Sequence, residues 1–83
     1  MKIIKRNGAE EVFDITKIST ALEKANAAVE EQFRMTDLQI TRIAENVAIS
    51  CESLGRSPAV EEIQDLVEKA IMAHGAFEVA KEY

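Results

Sequence analysis

Cysteine, proline and glycine are scarce in this 83-residue chain, at one, one and three residues. The lone Cys51 excludes an internal disulfide and any metal site built on a cysteine pair, and it suits a reducing, cytoplasmic setting. Unbroken apolar runs are only a few residues long, so nothing reads as a membrane span or a secretory signal. There is no internal repeat and no low-complexity tract. No glycine-rich phosphate loop is present, which excludes a P-loop NTPase. No nucleophile stands with a base and an orienting partner, so the chain is not expected to be an enzyme by itself. Positive charge is also in deficit: ten basic side chains face fifteen acidic ones, for a net charge of −5. That argues against a nucleic-acid binder, whose phosphate contacts need a positive face. What remains is one small domain, which buries roughly 60–65% of its unfolded surface.

The most informative stretch is Lys2–Ile18, KIIKRNGAEEVFDITKI. Two short β-prone runs flank Asn7-Gly8, the strongest short hairpin signal, because a type I′ turn needs positive φ at both central residues. A two-residue turn sets Lys5 opposite Glu10, Ile4 opposite Glu11 and Ile3 opposite Val12. Alternation then puts Ile3, Lys5, Glu10 and Val12 on one face and Ile4, Arg6, Glu11 and Phe13 on the other. Both faces mix apolar and charged residues, as expected where one covers a core and the other meets a ligand that is apolar and charged together. Charge is uneven along the chain. Residues 1–24 hold Lys2, Lys5, Arg6, Lys17 and Lys24 against Glu10, Glu11, Asp14 and Glu23, so the hairpin end is relatively positive on an acidic body. That suits a small anion.

Four helices follow. Asp14 is a good N-cap for a helix from Ile15 to about Glu31, with Ile15, Ile18, Ala21, Leu22, Ala25, Ala28 and Val29 at helical spacing. Gln32–Met35 reads as a connection. Thr36 to Gln39 fits a capping box, and Met35 with Ile40 fits a hydrophobic staple. The second stripe is Ile40, Ile43, Ala44, Val47, Ala48, Cys51 and Leu54, stopped by Gly55. Arg56–Ala59, which holds Pro58, is expected to add a short third strand, because an isolated hairpin is marginal. A third helix spans about Glu61–His74, with Ile63, Leu66, Val67, Ala70 and Ile71 facing inward. A fourth begins near Ala76, with Phe77, Ala80 and Tyr83 in register, and breaks off in mid-pattern as if the chain were the N-terminal piece of a longer one. The expected architecture is α+β: a four-helix cluster capped at one end by a two- to three-stranded sheet.

On spacing alone, each candidate residue has a plain alternative. Lys5 and Arg6 suit phosphate as a point charge and a bidentate fork. They equally suit solvated strand positions, with Lys5 paired to Glu10. Glu11 and Asp14 can accept hydrogen bonds from a ligand, or Asp14 can simply cap its helix. Lys17 points back towards the hairpin, or is an ordinary surface lysine. Cys51, Met35 and Phe77 read as core. His74 suits a helix C-terminus, and Glu61 and Glu62 suit a helix start, by the helix dipole.

Ile3, Lys5-Arg6-Asn7-Gly8, Glu11, Phe13-Asp14 and Lys17-Ile18 follow one recognisable pattern, and Val60–Glu68 supplies a second block. Together they resemble the ATP-cone domain, the nucleotide-sensing module at the N-terminus of many ribonucleotide reductases. With Phe77–Tyr83, the wording looks most like the anaerobic, glycyl-radical class, which reduces ribonucleoside triphosphates. The resemblance implies an allosteric site for ATP or dATP, with Mg²⁺. It also implies a catalytic domain in the same chain, and a homo-oligomeric protein that ATP activates and dATP silences. Ile3 would pack on adenine, Lys5 and Arg6 would meet phosphates, and Glu11 and Asp14 would hydrogen-bond the base. Lys17 would add charge. Val60 and Gln64 stand where the family often carries more polar or ionisable side chains near the nucleotide. Two further readings stay open. Repressors of reductase genes carry the same module behind a Cys-rich zinc ribbon, but no cysteine pair is found here. A degenerate cone would serve only as a structural or interaction module.

Overall fold

The hairpin does form in the computed structural model, which describes all 83 residues, but not in the expected register. Strands β1 (Lys2–Ile4) and β2 (Glu10–Val12) pair antiparallel with Lys2 opposite Val12, Ile3 opposite Glu11 and Ile4 opposite Glu10. The Lys5 N–H donates to the Ala9 carbonyl at 2.8 Å, and the Gly8 N–H donates to the Lys5 carbonyl at 2.9 Å. The loop is therefore three residues, Arg6-Asn7-Gly8, with Gly8 alone left-handed at φ +84°. The Asn7 side chain accepts from the Ala9 N–H at 3.0 Å, which holds Asn7 out of the left-handed region that a type I′ turn requires. The shift by one residue reassigns the faces. Ile3, Lys5, Glu11 and Phe13 now share the inward face, while Ile4, Glu10 and Val12 face outward.

The third strand shrinks to one residue. The Ile4 N–H donates to the Pro58 carbonyl at 2.9 Å, and Ile4 bridges Ala59 in parallel sense. Nothing longer fits, because α3 (Val60–Ala73) starts at the next residue. Its start is fixed by Glu62, which accepts from the Ala59 N–H at 3.0 Å and from both terminal nitrogens of Arg56 at 2.8 and 2.7 Å. Asp14 caps α1 (Ile15–Ala27) and Thr36 caps α2 (Asp37–Glu52), the latter with the full Thr36–Gln39 box. Helix α1 ends four residues earlier than its apolar stripe suggests. Arg34 donates to the Val29 and Ala27 carbonyls, so a side chain from beyond the helix satisfies its last carbonyl, while the amide of Asn26, within the helix, brackets the Met35 backbone. A 3₁₀ turn, Glu31–Phe33, follows. The short α4 (Phe77–Glu82) packs on α3 and α1.

The expected stripes make the core: Ile18, Leu22 and Ala25 of α1, Ile40, Ile43, Ala44, Val47 and Cys51 of α2, and Ile63, Val67 and Ile71 of α3. Four expectations fail, since Ile15 and Ala28 of the first stripe are exposed, as are Phe77 and Leu54. Phe77 is 57% exposed, because α4 turns Val79 inward with Ala76, Ala80 and Tyr83 beside it. Leu54 is exposed, because α2 has already ended before it. Ile3 is the hairpin's contribution to the core, and it anchors the sheet across the ends of α1 and α3.

Candidate functional site

Beneath the hairpin runs a groove made of two adjoining cavities of about 400 and 200 Å³. Strand β1 and its loop supply Ile3, Lys5, Arg6 and Asn7. Strand β2 and the turn after it supply Glu11, Phe13 and Asp14. Helix α1 supplies Lys17, and α3 supplies Val60 and Gln64. All eight candidate residues (Ile3, Lys5, Arg6, Glu11, Asp14, Lys17, Val60 and Gln64) therefore border one groove, although they come from four segments of the chain. Ile3, Lys17 and Val60 line both cavities. The outer cavity is charged at its mouth. The inner one is mostly apolar, with Phe13, Ile18 and Ile63 in its walls. A third and wider space of about 730 Å³ continues past Gln64 and Tyr83 between α1, α3 and α4.

The altered register decides the electrostatics. Lys5 pairs with Glu11, at 3.6 Å, and not with Glu10. Glu11 is also hydrogen-bonded by Lys17, one turn into α1. The Lys17 hydrogen bond and charge, with Lys5 second, hold the Glu11 carboxyl below its usual range, and Glu11 in turn raises Lys17. Asp14 accepts from the Thr16 hydroxyl at 2.6 Å and from the Thr16 N–H at 3.0 Å, and both bonds lower its pKa. Both reach Oδ1, so the capping role does not use Oδ2. Arg6 crosses from the loop to α3, with Nε 3.2 Å from Glu61 and Nη2 3.5 Å from Gln64. Three cations thus stand at the mouth of an apolar slot, with carboxylates among them. That arrangement can hold a planar apolar group inside and an anion outside.

Cys51 lies in the core, and burial pushes its thiol up, away from reactivity. Exposed His74 caps the C-terminus of α3. No helix is long and apolar enough to cross a membrane. Sequence reasoning missed Glu61 and Tyr83 as neighbours of the groove. Glu61 stands three residues before Gln64, and Tyr83 four after buried Val79, so helical spacing carried a signal for each.

A family model described as "ATP cone domain" matches residues 1–83. The chain is 42% identical over 92 residues to the ribonucleoside-diphosphate reductase subunit alpha of Chlamydia pneumoniae, covering 98% of this chain and 8% of that protein. It is 33% identical over 91 residues to the protein of the same name from Chlamydia trachomatis serovar D, covering 100% of this chain and 9% of the relative. The chain spans less than a tenth of the length of these relatives.

Proposed function

The chain belongs to the ATP-cone family, and from that premise we propose that it binds ATP or dATP as an allosteric effector in the groove beneath its hairpin. One observation carries the reading: eight residues from four segments line one groove of nucleoside-binding size. Adenine lies in the apolar slot against Ile3 and Val60. Glu11 and Asp14 accept from the base. Glu11 is already held by two lysines, but a carboxylate has about four acceptor sites, so one more donor is accommodated. Lys5, Arg6 and Lys17 meet the phosphates. Mg²⁺ would be held chiefly by those phosphates, since cations dominate the mouth of the groove.

The parent protein in this proposal is a ribonucleotide reductase with its catalytic domain in the same chain, and effector binding acts through its oligomeric state. The relatives' names favour a ribonucleoside-diphosphate reductase alpha subunit. They lend no support to the anaerobic class that the wording of the sequence suggests. The resembling blocks lie within the regulatory module and carry none of the catalytic machinery by which reductases differ. A lone core cysteine leaves this domain without redox chemistry of its own. Calorimetric titration with ATP, dATP and GTP tests the site: saturable heats for the two adenine nucleotides and much weaker binding of GTP are expected. Equal binding of GTP would refute the base contacts. Absence of any binding would favour the degenerate-cone reading, for which Val60, with only methyl groups to offer, is the motive.

A further inference from the structure

Glu61 touches Arg6 but is not among the residues that line the groove. It is the second residue of α3, and its carboxylate lies 3.2 Å from Arg6 Nε, across the mouth of the groove. We propose that Glu61 is a resident competitor of the effector's phosphates: an internal anion that occupies Arg6 until a polyphosphate displaces it, and so sets how steeply affinity rises with phosphate number. This rests on reading the groove as a phosphate site.

The neighbouring glutamate shows what a permanent pair looks like. Glu62 grips Arg56 through two short hydrogen bonds and also accepts from the Ala59 N–H. Glu61 meets Arg6 through Nε, with side chains 71% and 58% exposed. One-point contacts of this kind in water are weak. A phosphate offers the same guanidinium two oxygens at fork spacing and more charge. Exchange of Glu61 for phosphate is therefore favourable, but the bond that must break subtracts from affinity. Arg6 also differs from Lys5 and Lys17, whose shared partner, Glu11, lies on the hairpin. The Arg6–Glu61 pair joins the hairpin loop to α3, and Arg6 borders both the 400 Å³ cavity and the 730 Å³ space beyond it. Releasing Glu61 thus leaves the 3.5 Å Arg6–Gln64 hydrogen bond as the remaining side-chain bond from the loop to the helix.

The test is Glu61→Gln in the 83-residue chain, titrated with ATP, ADP, AMP and inorganic tripolyphosphate. Glutamine keeps the shape, and the exposed position leaves the melting temperature as a control on folding. ATP and tripolyphosphate should bind about two- to fivefold more tightly, as loss of one exposed pair implies. ADP should gain less and AMP almost nothing, and added salt should erase the gain. Glu45→Gln, which removes a charge from the exposed side of α2, should gain nothing. Unchanged or weaker ATP binding in Glu61→Gln, or an equal gain in Glu45→Gln, overturns the competitor role and leaves the nucleotide reading standing. Tripolyphosphate that tightens while ATP fails to bind either protein overturns the nucleotide reading alone. No binding of either ligand overturns both.

Discussion

Replacing Lys5 and Arg6 together by alanine separates a phosphate site from a merely charged hairpin. Neither side chain belongs to the core. Lys5 is half exposed and Arg6 is 71% exposed, and each partner is a surface carboxylate. Exposed substitutions of this kind each move stability by about 0.5 kcal/mol or less. The double variant should therefore stay within ~1 kcal/mol of the parent, a melting shift of no more than about 8 °C for a domain of this size. Its affinity should fall much further. Each charge-assisted hydrogen bond contributes about 1.5–3 kcal/mol, so losing two weakens Kd by roughly 10²- to 10⁴-fold. Because Glu61 must be displaced in the parent protein, the lower end of that range is expected. Parent binding should also weaken with salt, and the residual binding of the variant should be less salt-sensitive. Calorimetry and thermal melting on the same sample read both quantities. If Lys5 does no more than pair with Glu11, and Arg6 with Glu61, stability drops slightly and affinity stays put. An unchanged Kd in a folded double variant refutes the phosphate role.

Three further outcomes are expected. Glu62 is held at about 2, below its ordinary 4.5, chiefly by Arg56 and then by the Ala59 N–H. Its folded value is depressed, so its stabilising contribution is present above the unfolded value and is lost as pH falls towards about 2. Denaturation of Glu62→Gln should show a flatter pH dependence across that window, and a slope equal to the parent's would count against the Arg56–Glu62–Ala59 clasp. Gly8→Ala should cost about 1–2 kcal/mol for the left-handed backbone alone, since a Cβ there meets nothing within 4 Å; a neutral result in urea denaturation would mean that the loop adopts another turn. Phosphate release from ATP should stay at the level of a no-protein control, and release that survives repurification would overturn the purely regulatory role.

The helices were legible because their signals are local and mutually consistent. Apolar residues recur at helical spacing, and Asp14 and Thr36 sit where caps belong. What the sequence hid depends on contacts from elsewhere. Asn7-Gly8 announces a turn, but its type turned on whether the Asn7 side chain bonds Ala9, and that bond shifted the register by one residue. Helix α1 stops where Arg34 takes its last carbonyl and Asn26 ties its end to the Met35 backbone, which no apolar pattern records. Phe77 was misplaced because a stripe spaced i, i+3, i+6 ignores the fully buried Val79. The grouping of the groove residues does not depend on the expected register. They follow a motif, and Ile3 and Lys5 alternate on one strand as Glu11 and Phe13 do on the other. The true pairing places those two sets on the same face, whereas the expected pairing divided them.

The hairpin is joined to the helices by few bonds, so effector binding in the groove, as proposed, is readable as stability. One buried side chain, Ile3, one backbone bond from Ile4 to Pro58 and the exposed contacts of Arg6 with Glu61 and Gln64 hold it over α3. A ligand that bridges Ile3, Lys5 and Lys17 to Val60 and Gln64 adds contacts that only the folded arrangement offers. Binding to the folded state alone stabilises by RT ln(1 + [L]/Kd), about 2.7 kcal/mol when free ligand is a hundred times Kd. For a domain of this size that raises the melting temperature by on the order of 10–20 °C. The gain should be uneven. Amides of the hairpin, which open most easily, should gain more hydrogen-exchange protection with ATP than those of α2, whose buried face already lies in the core. Melting curves and exchange measured across an ATP series test this. Saturating ATP that leaves the melting temperature unmoved, or that protects α2 and not the hairpin, would place the ligand outside the groove.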